Sequence, residues 1–185
     1  LGGHGTDAYC LPEARGSRLY SAVVEHFFDH HCGPAGIGFF YGFAGDRNAT
    51  ILVTHHAYAL LGQVPLWTRP PGRGWPRWGY TVREGLQAAA LDALWERCAG
   101  RYRWAVVRDS RWYGRRFSGR PGVTYLHLHA WRQGTLHGWL VARLDGGVLR
   151  VADLLWDGED HGALAALDAA AQRAARAAGC RRAEL

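Results

Sequence analysis

The 185-residue sequence has no methionine, no lysine and only four cysteines. The cysteines (Cys10, Cys32, Cys98 and Cys180) are scattered without a CxxC pair, which predicts reduced thiols rather than a disulfide framework. No apolar run approaches the length of a membrane helix, and the chain does not begin with a signal-peptide pattern, so we expect a cytoplasmic protein without membrane contact. Because no translation start is in view, we expect this chain to be a fragment of a longer protein.

Acidic residues are also few. Against 16 aspartates and glutamates stand 22 basic residues, all arginine, which gives a net charge of +6 and a pI near 9.5. Such a charge attracts acidic partners, either a ligand that carries phosphates or nucleic acid. The arginines are spread along the chain, however, and a biased genome produces the same arginine- and alanine-rich composition. Charge alone therefore does not select a partner.

The first informative stretch runs from Thr6 to Ser21. It predicts a strand over Thr6 to Leu11, a Pro-Glu turn, a basic loop and then a helix. Apolar residues recur along that helix at the 3.6-residue period: Leu19, Tyr20, Val23, Val24, Phe27 and Phe28. The loop would direct the N–H groups of the first helical turn into solvent, which suits an anion such as pyrophosphate. The alternative is an ordinary strand-to-helix turn with a solvated basic loop.

The rest of the first half predicts a strand over Ile37 to Phe43 and a helix over Arg47 to Leu61, capped by Asp46 and ended by Gly62. Gln63 to Arg69 predicts a further strand. Pro70 to Trp78 has the composition of a linker. We therefore expect a first domain over residues 1–69, a linker over 70–79 and a second domain over 80–185.

The second half predicts helix, antiparallel meander, helix and strand. The expected elements are a helix over Leu86 to Cys98, a strand over Tyr102 to Arg108, strands over Thr124 to Trp131, Thr135 to Leu144 and Val148 to Trp156, a helix over Ala163 to Ala178 and a final strand from Arg181. Turns are expected at Gln133-Gly134 and at Asp145 to Gly147, because such dipeptides favour hairpins.

Two other features of the second half have alternative interpretations. The basic-aromatic stretch Arg108 to Gly119 could contact nucleic acid, but a solvated or packing role is preferred, since no recognised binding module surrounds it. His127, His129 and His137 on adjacent strands could bind zinc. Strand histidines are more often surface residues, and we expect no metal.

The strand, the Pro-Glu-x-Arg-Gly turn and the helix resemble the acyl-CoA pyrophosphate loop of the GNAT superfamily of N-acetyltransferases. That loop reads Arg or Gln, two residues, Gly, one residue, then Gly or Ala. Here Arg15 takes the first position, whereas Arg18 and Tyr20 stand where small residues are expected. Tyr58-Ala-Leu-Leu-Gly62 is similar to the Tyr-x-x-x-Gly end of the last GNAT helix. The element order and the motif that begins at Arg111 (Arg-x-Tyr-x-Arg-Arg-Phe) resemble a two-domain bacterial subgroup.

The resemblance implies an α/β (α+β) fold, with a mixed, mainly antiparallel sheet flanked by helices in two partial domains. It implies acyl transfer from acetyl-CoA to a small-molecule or peptide amine, with Tyr58 as general acid on the departing thiolate. The general base of the family usually comes from parts of the domain absent here. The residues implied to contact CoA are Ala8, Tyr9, Cys10, Leu11, Arg15, Gly16, Ser17, Arg18, Leu19 and Tyr20.

The second copy of the loop departs further from the family. Trp156 to Gly162 carries three carboxylates, which would repel a diphosphate, so acyl-CoA is expected in the first half only. Two other functions stay open: a non-catalytic GNAT-like binding or scaffold module, and an aminoacyl-tRNA-dependent transferase of the related paired fold. Apart from tRNA, nucleic acid is not an expected partner.

Overall fold

The computed structural model describes residues 2–5, 10–56, 58–85, 87–103, 105–118 and 121–185. They form two compact units, Leu1–Val64 and Pro65–Leu185, which are described separately. The boundary falls between Val64 and Pro65, so the segment expected as a linker, residues 70–79, lies within the second unit. No helix in this described part of the chain is long and apolar enough to cross a membrane.

The first unit contains two parallel strands joined through a helix. Its elements are β1 (Gly2–Gly5), α1 (Leu19–His31), β2 (Phe39–Gly42) and α2 (Asp46–His55). β1 and β2 pair in parallel, which requires a crossover connection, and α1 supplies it. Phe27 and Phe28 of α1 lie 5.4 and 5.8 Å from Phe40 of β2, ring centre to ring centre. Phe27 and Phe28 of the predicted apolar stripe thus pack on β2, whereas Leu19 and Val23 are 54% and 58% exposed.

Most of the strand expected over Thr6 to Leu11 lies outside the described residues, and the strand that the structure describes in this region is β1. Residues 6–9 lie outside the described residues, whereas Cys10 and Leu11 have irregular backbone that leads into a 3-10 turn at Pro12–Ala14. The glycine-rich β1 carries no strand signal of its own. Its glycines are needed, because a Cβ on Gly2 or Gly3 would lie within 2.5 Å of the ring of Phe39 or Phe40.

The helix expected over Arg47 to Leu61 is shorter than predicted. α2 ends at His55, and Gly62 lies in an extended segment rather than at a helix end. The run Thr50, Ile51, Val53, Thr54 explains the early end, because β-branched residues lose χ1 freedom in a helix. Tyr58 therefore lies beyond the helix.

The second unit is a six-stranded sheet with helices on both faces. Its elements are β3 (Thr68–Arg69), β4 (Thr81–Glu84), α3 (Ala88–Ala99), α4 (Ser110–Tyr113), β5 (Leu126–Arg132), β6 (Thr135–Asp145), β7 (Val148–Trp156), α5 (His161–Ala177) and β8 (Arg182–Glu184). The strand order is β3-β8-β7-β6-β5-β4. Only β7 and β8 pair in parallel, so the predicted mixed, mainly antiparallel sheet is confirmed.

The meander of β5, β6 and β7 follows the prediction closely. Gln133 and Gly134 both have positive φ (49° and 78°), as a two-residue hairpin turn requires, and Gly146 and Gly147 form the next turn with φ of 58° and 75°. α3 and α5 also lie where the apolar periodicity predicted them, apart from one or two residues at their ends.

The strand expected over Gln63 to Arg69 is reduced to β3, which pairs with β8. Pro65 has no N–H to donate to a neighbouring strand, and this limits β3 to Thr68 and Arg69 at the end of the expected range. Residues 70–79 are not a free linker either. They are attached to α5, where the backbone N–H of Gly72 donates to Gln172 Oε1 at 2.9 Å.

Two further expectations are corrected in the second unit. β4 was not predicted, because a strand of four residues (Thr81–Glu84) is too short to show an alternating pattern. Tyr102 to Arg108 is irregular instead of a strand, with Trp104 outside the described residues. Val106 and Val107 are 37% and 52% exposed, so this run has no face to bury.

The two faces of the sheet hold separate parts of the core. α5 covers one face, and its alanines allow a close approach to the strands. The buried residues there are Leu128, Ala130, Leu140, Ala142, Leu149, Ala163, Ala166, Leu167, Ala170, Ala171, Ala175 and Ala183. α3 and α4 cover the other face, with Leu91, Leu94, Cys98, Tyr113, Phe117, Leu136, Trp139, Val141 and Leu155 buried. No described residue of the first unit is fully buried.

Candidate functional site

The same local arrangement occurs once in each unit. A strand leads through a loop into a helix, and the helix is followed by a strand parallel to the first: β1–α1–β2 in one unit and β7–α5–β8 in the other. In both cases the loop lies at a helix N-terminus, where backbone N–H groups and the helix dipole favour an anion. The two loops are therefore the candidate anion sites.

The first loop is folded by its own short-range hydrogen bonds. Arg15 Nε donates to the carbonyl oxygen of Cys10 at 3.2 Å, and Ser17 Oγ donates to Ala14 O at 2.6 Å. Ser17 Oγ in turn accepts the N–H of Leu19 at 3.3 Å. Gly16 has φ of +80°, with no atom within 4 Å of the position that a Cβ would take. The glycine thus makes the turn and leaves the backbone accessible.

Ser17 accepts the first N–H of α1, but the N-cap residue itself contributes no side-chain cap. Arg18 is the N-cap residue, and its side chain makes no capping hydrogen bond. Arg15 and Arg18 are both exposed, whereas Tyr20 and Ser21 of the first turn are half-buried. Positive charge at a helix N-terminus is unfavourable by itself, because it faces the positive end of the dipole. A bound anion would offset the charge of Arg18 at this position.

Tyr58 lies beside the apolar side of α1. Its ring centre is 6.0 Å from that of Phe28 and 6.3 Å from that of Phe40. Partial burial raises the pKa of the Tyr58 phenol, and nearby Tyr20 and Cys32 raise it further. Tyr58 therefore keeps its proton at neutral pH.

His56 is a residue of this region that the sequence did not single out. Its Nε2 lies 3.3 Å from Ser21 Oγ, and its ring centre lies 6.2 Å from that of Tyr20. His56 follows the last turn of α2 and thereby connects that helix end to the first turn of α1. Nothing in the local sequence marks this contact, because the two residues are far apart in the chain.

A cavity of about 840 Å³ lies at the end of β2, between α2 and residues 58–64. Tyr58, alone among the predicted site residues that the structure describes, lines it, together with residues such as Phe43 and Thr54. The structure thus places Tyr58 at a cavity, Cys10, Leu11 and residues 15–18 in the loop, and Leu19 and Tyr20 in the first turn of α1. Ala8 and Tyr9 lie outside the described residues.

The second loop is filled by its own carboxylates. Asp157 Oδ1 accepts the backbone N–H groups of Glu159 and Asp160 at 3.0 and 2.8 Å. Asp160 is the N-cap of α5, and its Oδ1 accepts the N–H of Ala163 at 3.0 Å. The N–H groups that would bind an anion are therefore already taken.

Burial of Asp157 tends to raise its pKa, but the N–H groups of Asp160 and Glu159 and the nearby His137 outweigh it, so the pKa is below its usual range. Burial acts the same way on Asp160, where the hydroxyl of Tyr80 and the N–H of Ala163 outweigh it. Both carboxylates are ionised at neutral pH and repel a further anion.

Two side chains from other elements complete this cap. Arg101 forms an ion pair with Glu159 at 2.5 Å, so an arginine lies beside the second loop. Tyr80 donates to Asp160, and its ring lies against Gly162, where an added Cβ would be 2.5 Å from the hydroxyl oxygen. Gly162 therefore leaves room for the ring of Tyr80.

The three histidines considered for zinc do not come together. His127 contacts Tyr113 under α4, whereas His137 Nδ1 lies 3.1 Å from Asp160 Oδ2 and 3.4 Å from Asp157 Oδ2. Ligand atoms of His137, Asp157 and Asp160 lie within 4.8 Å of one another. Their hydrogen bonds to the loop backbone account for this closeness, because the same carboxylates cap α5.

No family model matches the sequence, and no curated protein matches it. Several solved structures are similar. A GCN5-related N-acetyltransferase from Anabaena variabilis matches 94% of this chain and 44% of its own length, with 13% identity and a TM-score of 0.54. One from Sphaerobacter thermophilus matches 94% and 60%, with 20% identity and a TM-score of 0.50.

A protein of unknown function from Enterococcus faecalis, described as a probable N-acyltransferase, matches 64% of this chain and 31% of its own length, with 12% identity and a TM-score of 0.53. This chain thus spans between about a third and three fifths of these proteins. The likeness extends to the mixed sheet and its flanking helices. The chain has the fold of the GCN5-related N-acetyltransferases.

Proposed function

We propose that the first unit binds acyl-CoA and that the protein transfers the acyl group to an amine. One observation carries the proposal: the two helix N-termini differ in what occupies them. The N-cap residue of α1 makes no side-chain capping hydrogen bond, and Arg15 and Arg18 are exposed beside the helix end. α5 is capped by Asp157 and Asp160. A diphosphate is attracted to the first and repelled by the second.

The loop from Arg15 to Tyr20 is proposed to bind the pyrophosphate. Arginine binds phosphate oxygens through charge-assisted hydrogen bonds, and the open space at Gly16 leaves the loop backbone accessible. Arg18 replaces the small residue of the family pattern and offsets its loss by contributing a charge. The thioester is proposed to lie along Ala8 to Leu11, as the resemblance implies.

Tyr58 is proposed as the general acid. Transfer forms a bond between the acyl carbon and the amine nitrogen and breaks the carbon–sulfur bond, so the departing sulfur needs a proton. Because burial raises the pKa of Tyr58, the phenol holds a proton that it can donate. The acceptor is proposed to be a small-molecule or peptide amine.

The second unit is proposed to be a non-catalytic support. Its loop is closed by Asp157, Asp160 and Tyr80, so it offers no place for a diphosphate. Four free cysteines fit a reducing compartment, and we propose a cytoplasmic location.

A titration with acetyl-CoA tests the donor site. We expect Arg15→Ala combined with Arg18→Ala to weaken binding at least about 100-fold, since a hydrogen bond to a charged group contributes about 1.5–3 kcal/mol. Asp157→Ala should leave the affinity unchanged. Calorimetry on each variant gives the comparison.

The matched control is Arg111→Ala combined with Arg115→Ala, which removes the same charge from exposed positions of the second unit. An equal loss of affinity in this control would show that net charge, not the loop, attracts the ligand. Binding that survives the Arg15 and Arg18 changes but responds to Asp157→Ala would place the donor in the second unit.

A further inference from the structure

Residues 67–78, here called the Trp–Arg segment, expose three of the nine tryptophans of the chain. Trp67, Trp75 and Trp78 are 69%, 75% and 97% exposed. Three arginines stand between them in the sequence, at Arg69, Arg73 and Arg77. A tryptophan side chain ordinarily buries a large apolar area, so three exposed ones in twelve residues indicate a surface for a partner.

The segment is attached at its start and middle to the sheet and to α5. The backbone of Trp67 pairs with that of Leu185, at 3.1 and 2.9 Å. Arg69 forms an ion pair with Asp168 of α5. Gly72 N donates to the side chain of Gln172, which is buried. These contacts fix the backbone of the segment while leaving the indole rings outside.

Gly74 brings the segment closest to the helix. It has φ of +66°, and a Cβ at this position would lie 2.2 Å from the carbonyl oxygen of Ala169. Arg173 donates to the carbonyl oxygen of Gly74 from the next turn of the helix. These contacts fix the backbone at Gly74, and Trp75 is the next residue in the chain.

The two arginines nearest the exposed rings remain available. Among the residues that the structure describes, neither Arg73 nor Arg77 has an acidic partner, whereas Arg69 is paired. Arg73 precedes Trp75 by two residues, and Arg77 directly precedes Trp78. Cations and large rings are therefore interspersed along one backbone segment that is attached to the sheet and to α5.

We propose that the Trp–Arg segment binds single-stranded nucleic acid. Bases that are not paired stack on exposed aromatic rings, and arginines beside the rings bind the intervening phosphates. The net charge of +6 favours a polyanion as the partner. This proposal does not depend on acyl-CoA binding in the first unit.

An anionic membrane fits this surface less well than nucleic acid does. Membrane-surface segments are usually amphipathic helices with a continuous apolar face. The Trp–Arg segment has largely irregular backbone with three prolines, and the exposed aliphatic side chains near it precede it in the sequence, at Leu60, Leu61, Val64 and Leu66, without forming a helix face. Rings separated by arginines suit successive bases better than a lipid boundary.

A second arginine-rich surface of the same unit serves as an internal control. Arg111, Arg115 and Arg116 are exposed on α4 and the π turn that follows it. Among the aromatic residues beside them, Tyr113 and Phe117 are buried and Trp112 is half-buried. This surface has comparable charge without exposed rings beside it, so it separates stacking from simple attraction.

The test uses the whole chain and a fluorescein-labelled oligouridylate of about 12 nucleotides, within the range that single-strand sites cover. Fluorescence anisotropy gives the affinity at about 50 and about 200 mM salt. Trp75→Ala and Trp78→Ala should each weaken binding about 5- to 150-fold, which is the fold-change for about 1–3 kcal/mol per stacked base. Replacing exposed Tyr102 by alanine should leave the affinity unchanged.

Arg73→Gln combined with Arg77→Gln should lower the slope of log affinity against log salt by about 1.4, since each phosphate contact on a single strand contributes about 0.7. Arg111→Gln combined with Arg115→Gln removes the same charge and should change the slope less. A duplex of the same sequence length should bind more weakly, because its bases are already stacked.

Three results would overturn the proposal. The first is no measurable binding at the lower salt concentration. The second is equal binding by the wild type and the Trp75→Ala, Trp78→Ala double variant. The third is tryptophan-dependent sedimentation with phosphatidylglycerol vesicles together with tryptophan-independent RNA binding, which would assign the segment to a membrane surface.

Discussion

Replacement of Tyr58 by phenylalanine is expected to lower acyl-transfer turnover by about 10²–10⁴-fold, the usual contribution of a positioned acid. The hydroxyl is the only group removed, and the ring contacts with Phe28 and Phe40 remain. The affinity for acetyl-CoA should therefore change little. The effect should appear in kcat, because the proton is needed only as the carbon–sulfur bond breaks.

Release of free CoA thiol from acetyl-CoA in the presence of a panel of primary amines measures this turnover. The matched control is Tyr41→Phe, since Tyr41 of β2 is a half-buried tyrosine stacked on His4 at 4.6 Å. It removes one hydroxyl from the same unit and should retain full turnover. Unchanged turnover in Tyr58→Phe would assign Tyr58 to packing alone.

Acid is expected to destabilise the second unit through His129. This side chain is fully buried, and neither ring nitrogen has a hydrogen-bond partner among the described residues. Burial, together with a smaller contribution from nearby His127, lowers the pKa of His129 from 6.5 to about 4. Above pH 6.5 neither state binds the proton. As the pH falls from 6.5 towards 4, only the unfolded state does, so stability is lost in that window.

We expect the free energy of unfolding of this unit to fall by about 3 kcal/mol across that window, at about 1.4 kcal/mol for each unit of pKa difference. His129→Phe should remove most of that loss. Tryptophan fluorescence during urea unfolding reports this unit alone, because all nine tryptophans lie in residues 65–185.

The comparison variant is His161→Gln, which removes an exposed histidine from the same unit. It should keep the wild-type dependence on pH. If His129→Phe and the wild type lost the same stability between about pH 7 and about pH 4, the buried imidazole would not be the group that binds the proton.

The sequence predicted the elements whose signals are local. The β5–β6–β7 meander was found because its turns carry residues suited to positive φ, and α5 because its core face repeats regularly. β1 was missed because its glycines leave room for the phenylalanine rings of β2, a requirement that is visible only in three dimensions. The length of α2 was overestimated, since β-branched residues opposed an otherwise helical pattern.

The candidate site also has some features that the sequence predicts and others that it does not. The basic first loop and the acidic second loop could be distinguished from the sequence, because their charges lie within a few residues. The closing of the second loop could not, since Tyr80, Arg101 and His137 reach it from distant parts of the chain. His56 beside the first turn of α1 is hidden for the same reason.

Hydrogen–deuterium exchange with and without saturating acetyl-CoA tests most directly where the acyl donor binds. Backbone N–H groups that bind a diphosphate exchange more slowly, and each loop has its own set of these groups. We predict slower exchange in residues 15–22 and no change in residues 157–163. Slower exchange in residues 157–163, with residues 15–22 unaffected, would contradict the account.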